Sequence, residues 1–115
     1  MNYTLSVDGI ELTGKLEKYV AKKVKPLEKY IPKRARESAT LDIHFRLLKP
    51  SQEKEVEFIL VLPHQKIVLK EATTHAYASL DVIVVEAKRQ IKTYKEKHEP
   101  KSIRHRIARS KQQPS

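Results

Sequence analysis

Lysines recur through the first third of the chain at spacings of three and four: Lys15, Lys18, Lys22, Lys25, Lys29 and Lys33, with Lys23 beside them. A second run near the other end, Lys88, Arg89, Lys92 and Lys95, repeats the spacing. Residues three and four apart share one face of an α-helix, so each run predicts a cationic stripe. Such groups neutralise phosphates, and a row of them can follow a polyanion. Other reactive patterns are weaker. His44, His64, His75, His98 and His105 are scattered, without an i, i+4 partner or a carboxylate at ligand spacing, so no metal site is expected. The chain has no cysteine, which excludes a thiolate nucleophile, a cysteine zinc site and a disulfide framework. Two glycines are too few for a Walker loop or a dinucleotide fingerprint. Glu55 and Glu57 read as the solvent side of an alternating segment, and Asp81 reads as a helix-dipole or hydrogen-bonding group. No Ser-His-Asp grouping follows from spacing. The expectation is a protein that is not an enzyme and needs no cofactor.

The charge is unevenly placed. Of 115 residues, 24 are basic and 14 acidic, a net +10. Residues 13–34 carry eight basic and two acidic groups, whereas residues 35–72 carry six of each. Residues 99–115 carry five basic groups against Glu99 alone. A surplus gathered in segments predicts a polyanionic partner rather than a generally solvated surface. The length fits one domain. The longest purely apolar run, Phe58 to Leu62, is far short of a membrane span, and the N-terminus has no signal-like apolar region. A cytoplasmic protein with no membrane partner is the expectation.

The elements that must carry the stripes are set by periodicity. Residues 2–7, 39–47, 55–62 and 66–71 alternate or are rich in β-branched and aromatic residues, and read as strands. The short connections at Pro50-Ser51-Gln52 and Pro63-His64-Gln65 make the last three an antiparallel meander. Residues 13–31 read as a helix capped by Thr13, with Leu16, Val20, Val24, Leu27 and Ile31 on one face and the lysine stripe almost opposite. Pro26 conflicts with that helix and predicts a kink, or a second short segment with Pro26 as its first residue. Pro32 stops it. Residues 74–98 read as the second helix, with Leu80, Ile83, Val84, Ala87, Ile91 and Tyr94 inward. Tyr19, Tyr30 and Tyr94 border the core faces and read as packing residues. Residues 99–115 read as a disordered basic tail. The order is β-α-β-β-β-α, an α+β fold whose four-stranded sheet is covered on one face by both helices. Their basic stripes then form one outward cationic surface.

Two stretches in this frame resemble a known family. The first runs from Ile10-Glu11-Leu12-Thr13 through Leu16, Tyr19-Val20 and Lys23 to Leu27-Glu28-Lys29-Tyr30. The second is Glu71-Ala72, then Tyr77-Ala78-Ser79-Leu80-Asp81, then Lys88-Arg89-Gln90-Ile91-Lys92. Together they are similar to the ribosome hibernation-promoting factors and protein Y, the ribosome-associated translation inhibitors of bacteria, in their short form. The resemblance implies a double-stranded-RNA-binding-like domain over residues 1–98. It would bind the small ribosomal subunit and its rRNA in the mRNA and tRNA channel, block translation, and be a monomer off the ribosome. Lys23, Arg89, Lys92 and Lys95 match the family's basic positions, and Lys22, Lys25, Lys29 and Lys88 join them from the helical wheel. Pro26 departs from the pattern, where relatives often have lysine. So does His75-Ala76, in place of Asp-Met, which leaves Thr73 or Thr74 to cap the second helix.

Three other functions remain open on the residues alone. A generic double-stranded RNA-binding protein needs only the stripes. A membrane-surface protein would need an apolar helix face that the core already uses. An enzyme has no supporting constellation.

Overall fold

The computed structural model describes residues 1–98. The basic segment 99–115 and the tail expected there lie outside the described residues. The elements are β1 (Asn2–Asp8), α1 (Gly14–Val24), a 3₁₀ segment (Lys25–Tyr30), α2 (Lys33–Arg36), β2 (Thr40–Leu47), β3 (Lys54–Leu62), β4 (Gln65–Thr73) and α3 (Ala76–His98).

Each alternating segment becomes a strand, and the sheet runs β1-β2-β3-β4. β2 and β3 pair antiparallel with Ile43 opposite Phe58, and β3 and β4 with Phe58 opposite Leu69. β1 lies parallel to β2, with Leu5 beside Ile43. A parallel neighbour requires a long crossover, which α1, the 3₁₀ segment and α2 provide. The β3–β4 loop is Pro63-His64 alone, with His64 at φ 67°. Proline ahead of a positive-φ residue is the type II turn pattern.

One face of the sheet is dry. Leu41, Ile43, Phe45, Val56, Phe58, Leu60, Leu62 and Ile67 meet Leu16, Val20 and Val24 of α1, Leu27 of the 3₁₀ segment, and Leu80, Ile83, Ala87 and Ile91 of α3 in one buried cluster. Each such large side chain contributes roughly 1.5–3 kcal/mol relative to exposure. The other face mixes polar groups with the exposed Val61 and Val68, and two ion pairs cross it. Arg46 pairs with Glu55 and Lys70 with Glu57, while Thr4 donates to Asp42 at 2.5 Å. Both longer helices therefore cover one face, as the patterning requires.

The helical crossover differs from the expected single helix over 13–31. Thr13 Oγ1 accepts the Leu16 N–H at 3.1 Å and starts α1 as expected. α1 ends at Val24, and the chain tightens into the 3₁₀ segment. Pro26 is the reason, because it has no N–H to bond the Lys22 carbonyl and its ring crowds that turn. In the first turn of a new segment the missing N–H costs nothing. The expected second segment therefore exists, starting one residue earlier, at Lys25. Ile31, ahead of Pro32, is extended, and a single turn, α2, comes next where no element was expected. Arg36 fastens this corner, its Nε donating to Ile31 O at 3.0 Å and an Nη to Lys29 O at 3.1 Å.

α3 begins at Ala76, two residues later than the pattern indicates. Thr73 Oγ1 accepts the His75 N–H at 3.2 Å and lies 2.8 Å from Ser79 Oγ. Ser79 is fully buried and donates to the Lys54 carbonyl at 2.7 Å, which ties the helix start to β3.

Candidate nucleic-acid interface

The change to 3₁₀ winding at Lys25 takes Lys29 and Lys33 off the lysine stripe of α1. Lys22 and Lys25 stay exposed at the α1 end of the crossover. Lys29 instead meets α3 at Tyr30. The ammonium of Lys88 lies 4.9 Å from the centroid of the Tyr30 ring, that of Lys92 at 5.3 Å and that of Lys29 at 5.8 Å. Among the described residues, no carboxylate pairs with any of the three. The ring quadrupole offsets part of their mutual repulsion, by about 0.5–1 kcal/mol per exposed contact. A hydrogen bond from Lys88, reinforced by the charges of Lys88, Lys29 and Lys92, holds the Tyr30 phenol below the ordinary tyrosine pKa. Three cations converging on one half-buried ring form a ready seat for an anion.

Toward the start of α3 the contacts reverse in sign. Tyr19 of α1 donates to Asp81 Oδ1 at 2.5 Å, and Lys23 Nζ lies 3.5 Å from the same oxygen. The Tyr19 and Tyr77 rings meet with centroids 4.6 Å apart, and Lys23 lies 5.5 Å from the Tyr19 ring. The hydrogen bond to Asp81, helped by burial, pushes the Tyr19 phenol up to about 12. Lys23 is thus partly committed to holding α1 against α3. Asp81 has the structural hydrogen bond expected of it.

Arg89 sits on the exposed side of α3 in a two-pronged contact with Glu86. Arg89, and then Gln90, hold the Glu86 carboxyl down to about 2. Lys95, one turn beyond Lys92, lines a hollow with Lys33, Arg34 and Arg36. The structure therefore brings Lys29, Lys88 and Lys92 together. It places Lys95 beside them, ties Lys23 and Arg89 to carboxylates, and leaves Lys22 and Lys25 apart. No helix among the described residues is long and apolar enough to cross a membrane. No group of three or more His, Asp or Glu among them is placed to hold a metal ion.

The model of the Sigma 54 modulation protein / S30EA ribosomal protein family matches residues 3–99. The chain belongs to that family. Its fold is similar to the crystal structure of the Thermus thermophilus Protein Y N-terminal domain, at 22% identity and a TM-score of 0.69, covering 82% of this chain and 99% of that one. It is also similar to a ribosomal subunit interface protein from Coxiella burnetii, at 22% identity and a TM-score of 0.67, covering 83% of this chain and 98% of that one. Both likenesses agree with the α+β order read from the sequence.

The 3₁₀ winding that starts beside Pro26 leaves Lys29 and Tyr30 against α3. Sequence reasoning passed over Tyr30 as a packing residue. Its ring does pack on the core edge, yet its free side carries the lysines. Arg34 and Arg36 were also missed. The available signal was the run Lys33-Arg34-Ala35-Arg36, whose short helical turn leaves Lys33 and Arg34 exposed beside a buried Ala35 while Arg36 bonds back to the backbone.

Proposed function

We propose that this protein is a ribosome-associated translation inhibitor of the hibernation type. It binds the rRNA of the small subunit in the mRNA and tRNA channel through the face formed by α1, the 3₁₀ segment and α3. The observation that carries this reading is the convergence of Lys29, Lys88 and Lys92 on Tyr30, with no carboxylate partner among the described residues. Family membership supports it, as does the likeness to a protein described as a ribosomal subunit interface protein. Lys22, Lys23, Lys25, Arg89 and Lys95 extend the contact surface around that centre. Residues 1–98 form the binding domain, and the basic segment 99–115 acts as a cationic arm along RNA.

The mechanism is occlusion. A folded domain seated where messenger and transfer RNA pass excludes both, and no bond is made or broken. Phosphate contacts hold it, and A-form RNA needs no base reading because its shape and backbone identify it. The protein works as a monomer off the ribosome.

Cosedimentation with small subunits over a salt series tests this, with excess duplex RNA as competitor. The expected result is binding that survives the competitor, with log affinity falling by about 0.7–0.9 per neutralised phosphate for each tenfold rise in salt. Equal displacement by duplex RNA points to the generic double-stranded RNA binder instead. A flat salt response overturns the phosphate mechanism.

A further inference from the structure

At the far end of the fold, beyond Lys95, three rings gather. Tyr94 is buried, and its hydroxyl donates to the Pro63 carbonyl at 2.9 Å. The His98 ring stacks on Tyr94 with centroids 4.2 Å apart and planes at 28°. His64, presented by the positive-φ turn, lies with its ring nearly parallel to His98, at 9° and 6.4 Å. His98 Nδ1 is 2.9 Å from the Tyr94 carbonyl. A carbonyl only accepts, so this bond places the proton on Nδ1 and leaves Nε2 as an acceptor in the neutral ring. Tyr94 and His98 are therefore anchored to backbone, and His64 is held out by its turn.

Two hollows adjoin here and share Arg34 and His98 in their walls. One, of about 330 Å³, is walled by His64, Tyr94 and His98 together with proline and alanine carbons. The other, of about 320 Å³, has Lys33, Arg34 and Lys95 in its wall and, among the described residues, no carboxylate. A wall of imidazole faces with apolar carbons and a neighbouring cationic wall match the two ends of one kind of molecule. An aromatic base stacks on imidazole faces, and a phosphate takes guanidinium and ammonium. Each hollow is within the size range of small-molecule sites.

We infer that these two hollows form a nucleotide subsite, with the base against His98 and His64 and the phosphate on Arg34 and Lys33. The residues that hold the base and the phosphate, His98, His64, Arg34 and Lys33, are not among those around Tyr30, so the site goes beyond the ribosome reading and shares only Lys95 with its contact surface. The shared chemistry is a nucleotide, either free or as an unpaired nucleotide of single-stranded RNA.

The test is a solution NMR titration of the full chain with AMP, adenosine, inorganic phosphate and a short single-stranded oligoadenylate. AMP or the oligonucleotide is expected to shift the imidazole signals of His64 and His98. Adenosine and phosphate are each expected to bind about tenfold more weakly or worse. Tighter binding of the oligonucleotide identifies RNA as the source, and equal or tighter binding of AMP identifies a free nucleotide. His98→Ala and Arg34→Ala are each expected to weaken nucleotide binding about tenfold with the melting temperature unchanged. The inference is overturned if neither nucleotide moves the imidazoles, if phosphate alone matches AMP, or if both variants bind as the parent does. Cosedimentation of the same variants with ribosomes, measured separately, tells failure of this subsite from failure of the ribosome reading.

Discussion

Tyr19 on α1 and Asp81 on α3, 62 residues apart in the chain, are joined by a 2.5 Å hydrogen bond across the groove between the helices. The phenol donates and the carboxylate accepts. The same carboxylate draws in Lys23, so one oxygen couples helix docking to the placement of that cation. Tyr19→Phe and Asp81→Asn are each expected to destabilise the domain by about 0.5–1.5 kcal/mol. The double variant should cost less than the sum, because both remove one interaction. Urea unfolding of the four proteins measures this.

The Tyr19 phenol also makes stability depend on alkaline pH. Its hydrogen bond to Asp81 raises its pKa to about 12 in the folded protein. Unfolded tyrosine titrates near pH 10, so above that the native state holds a proton the unfolded chain has released. The stabilisation is fully present below about pH 10 and is lost as pH rises through about 12. Tyr19→Phe should remove this fall in stability between the two values. Tyrosinate absorbance should show Tyr30 titrating before Tyr19, since Lys88 favours the Tyr30 phenolate.

The lysines around Tyr30 should be separable from the rest of the surface. Lys29→Gln, Lys88→Gln and Lys92→Gln are each expected to weaken ribosome binding and reduce the salt slope by about one. Arg89→Gln should reduce it less, since Glu86 already neutralises that side chain. Lys66→Gln, exposed on β4, should leave affinity unchanged. Cosedimentation at several salt concentrations checks all five.

The buried Ser79 hydroxyl serves Lys54 O on β3 and Thr73 Oγ1 ahead of α3. Ser79→Ala removes this donor from a partly buried carbonyl and should cost about 0.5–1.5 kcal/mol. Thermal unfolding reads the loss directly.

The two glycines should respond oppositely to alanine. Gly9 has φ +78°, and a Cβ there would lie 3.0 Å from Leu47 Cβ, so Gly9→Ala is expected to destabilise by about 1–2 kcal/mol. Gly14 opens α1 with nothing within 4 Å of a new Cβ. Gly14→Ala should stabilise by about 0.4–1 kcal/mol through the unfolded chain. Denaturant midpoints of the two variants make the comparison.

Strand positions, sheet class, the inward faces of α1 and α3 and the basic bias of the helical side were legible without coordinates. Each is a local matter. Alternation at Leu41, Ile43 and Phe45, or a 3.6-residue period through Leu80, Ile83, Ala87 and Ile91, is written in neighbouring residues and enforced by burial. Pro26 announced a break for an equally local reason, since the ring acts on its own turn. The path of the chain after the break is a tertiary matter. Whether the backbone kinks or rewinds depends on what Leu27 and Ile31 can bury against, and here the core holds both while the backbone tightens to 3₁₀. That choice moved Lys29 off the α1 stripe and set Tyr30 beneath Lys88 and Lys92. The sequence alone determined that the protein is an α+β domain with two cationic helices. Only the tertiary structure decided which cations converge, because Lys29 and the α3 lysines, far apart in the chain, meet only after both helical segments dock on the same sheet face.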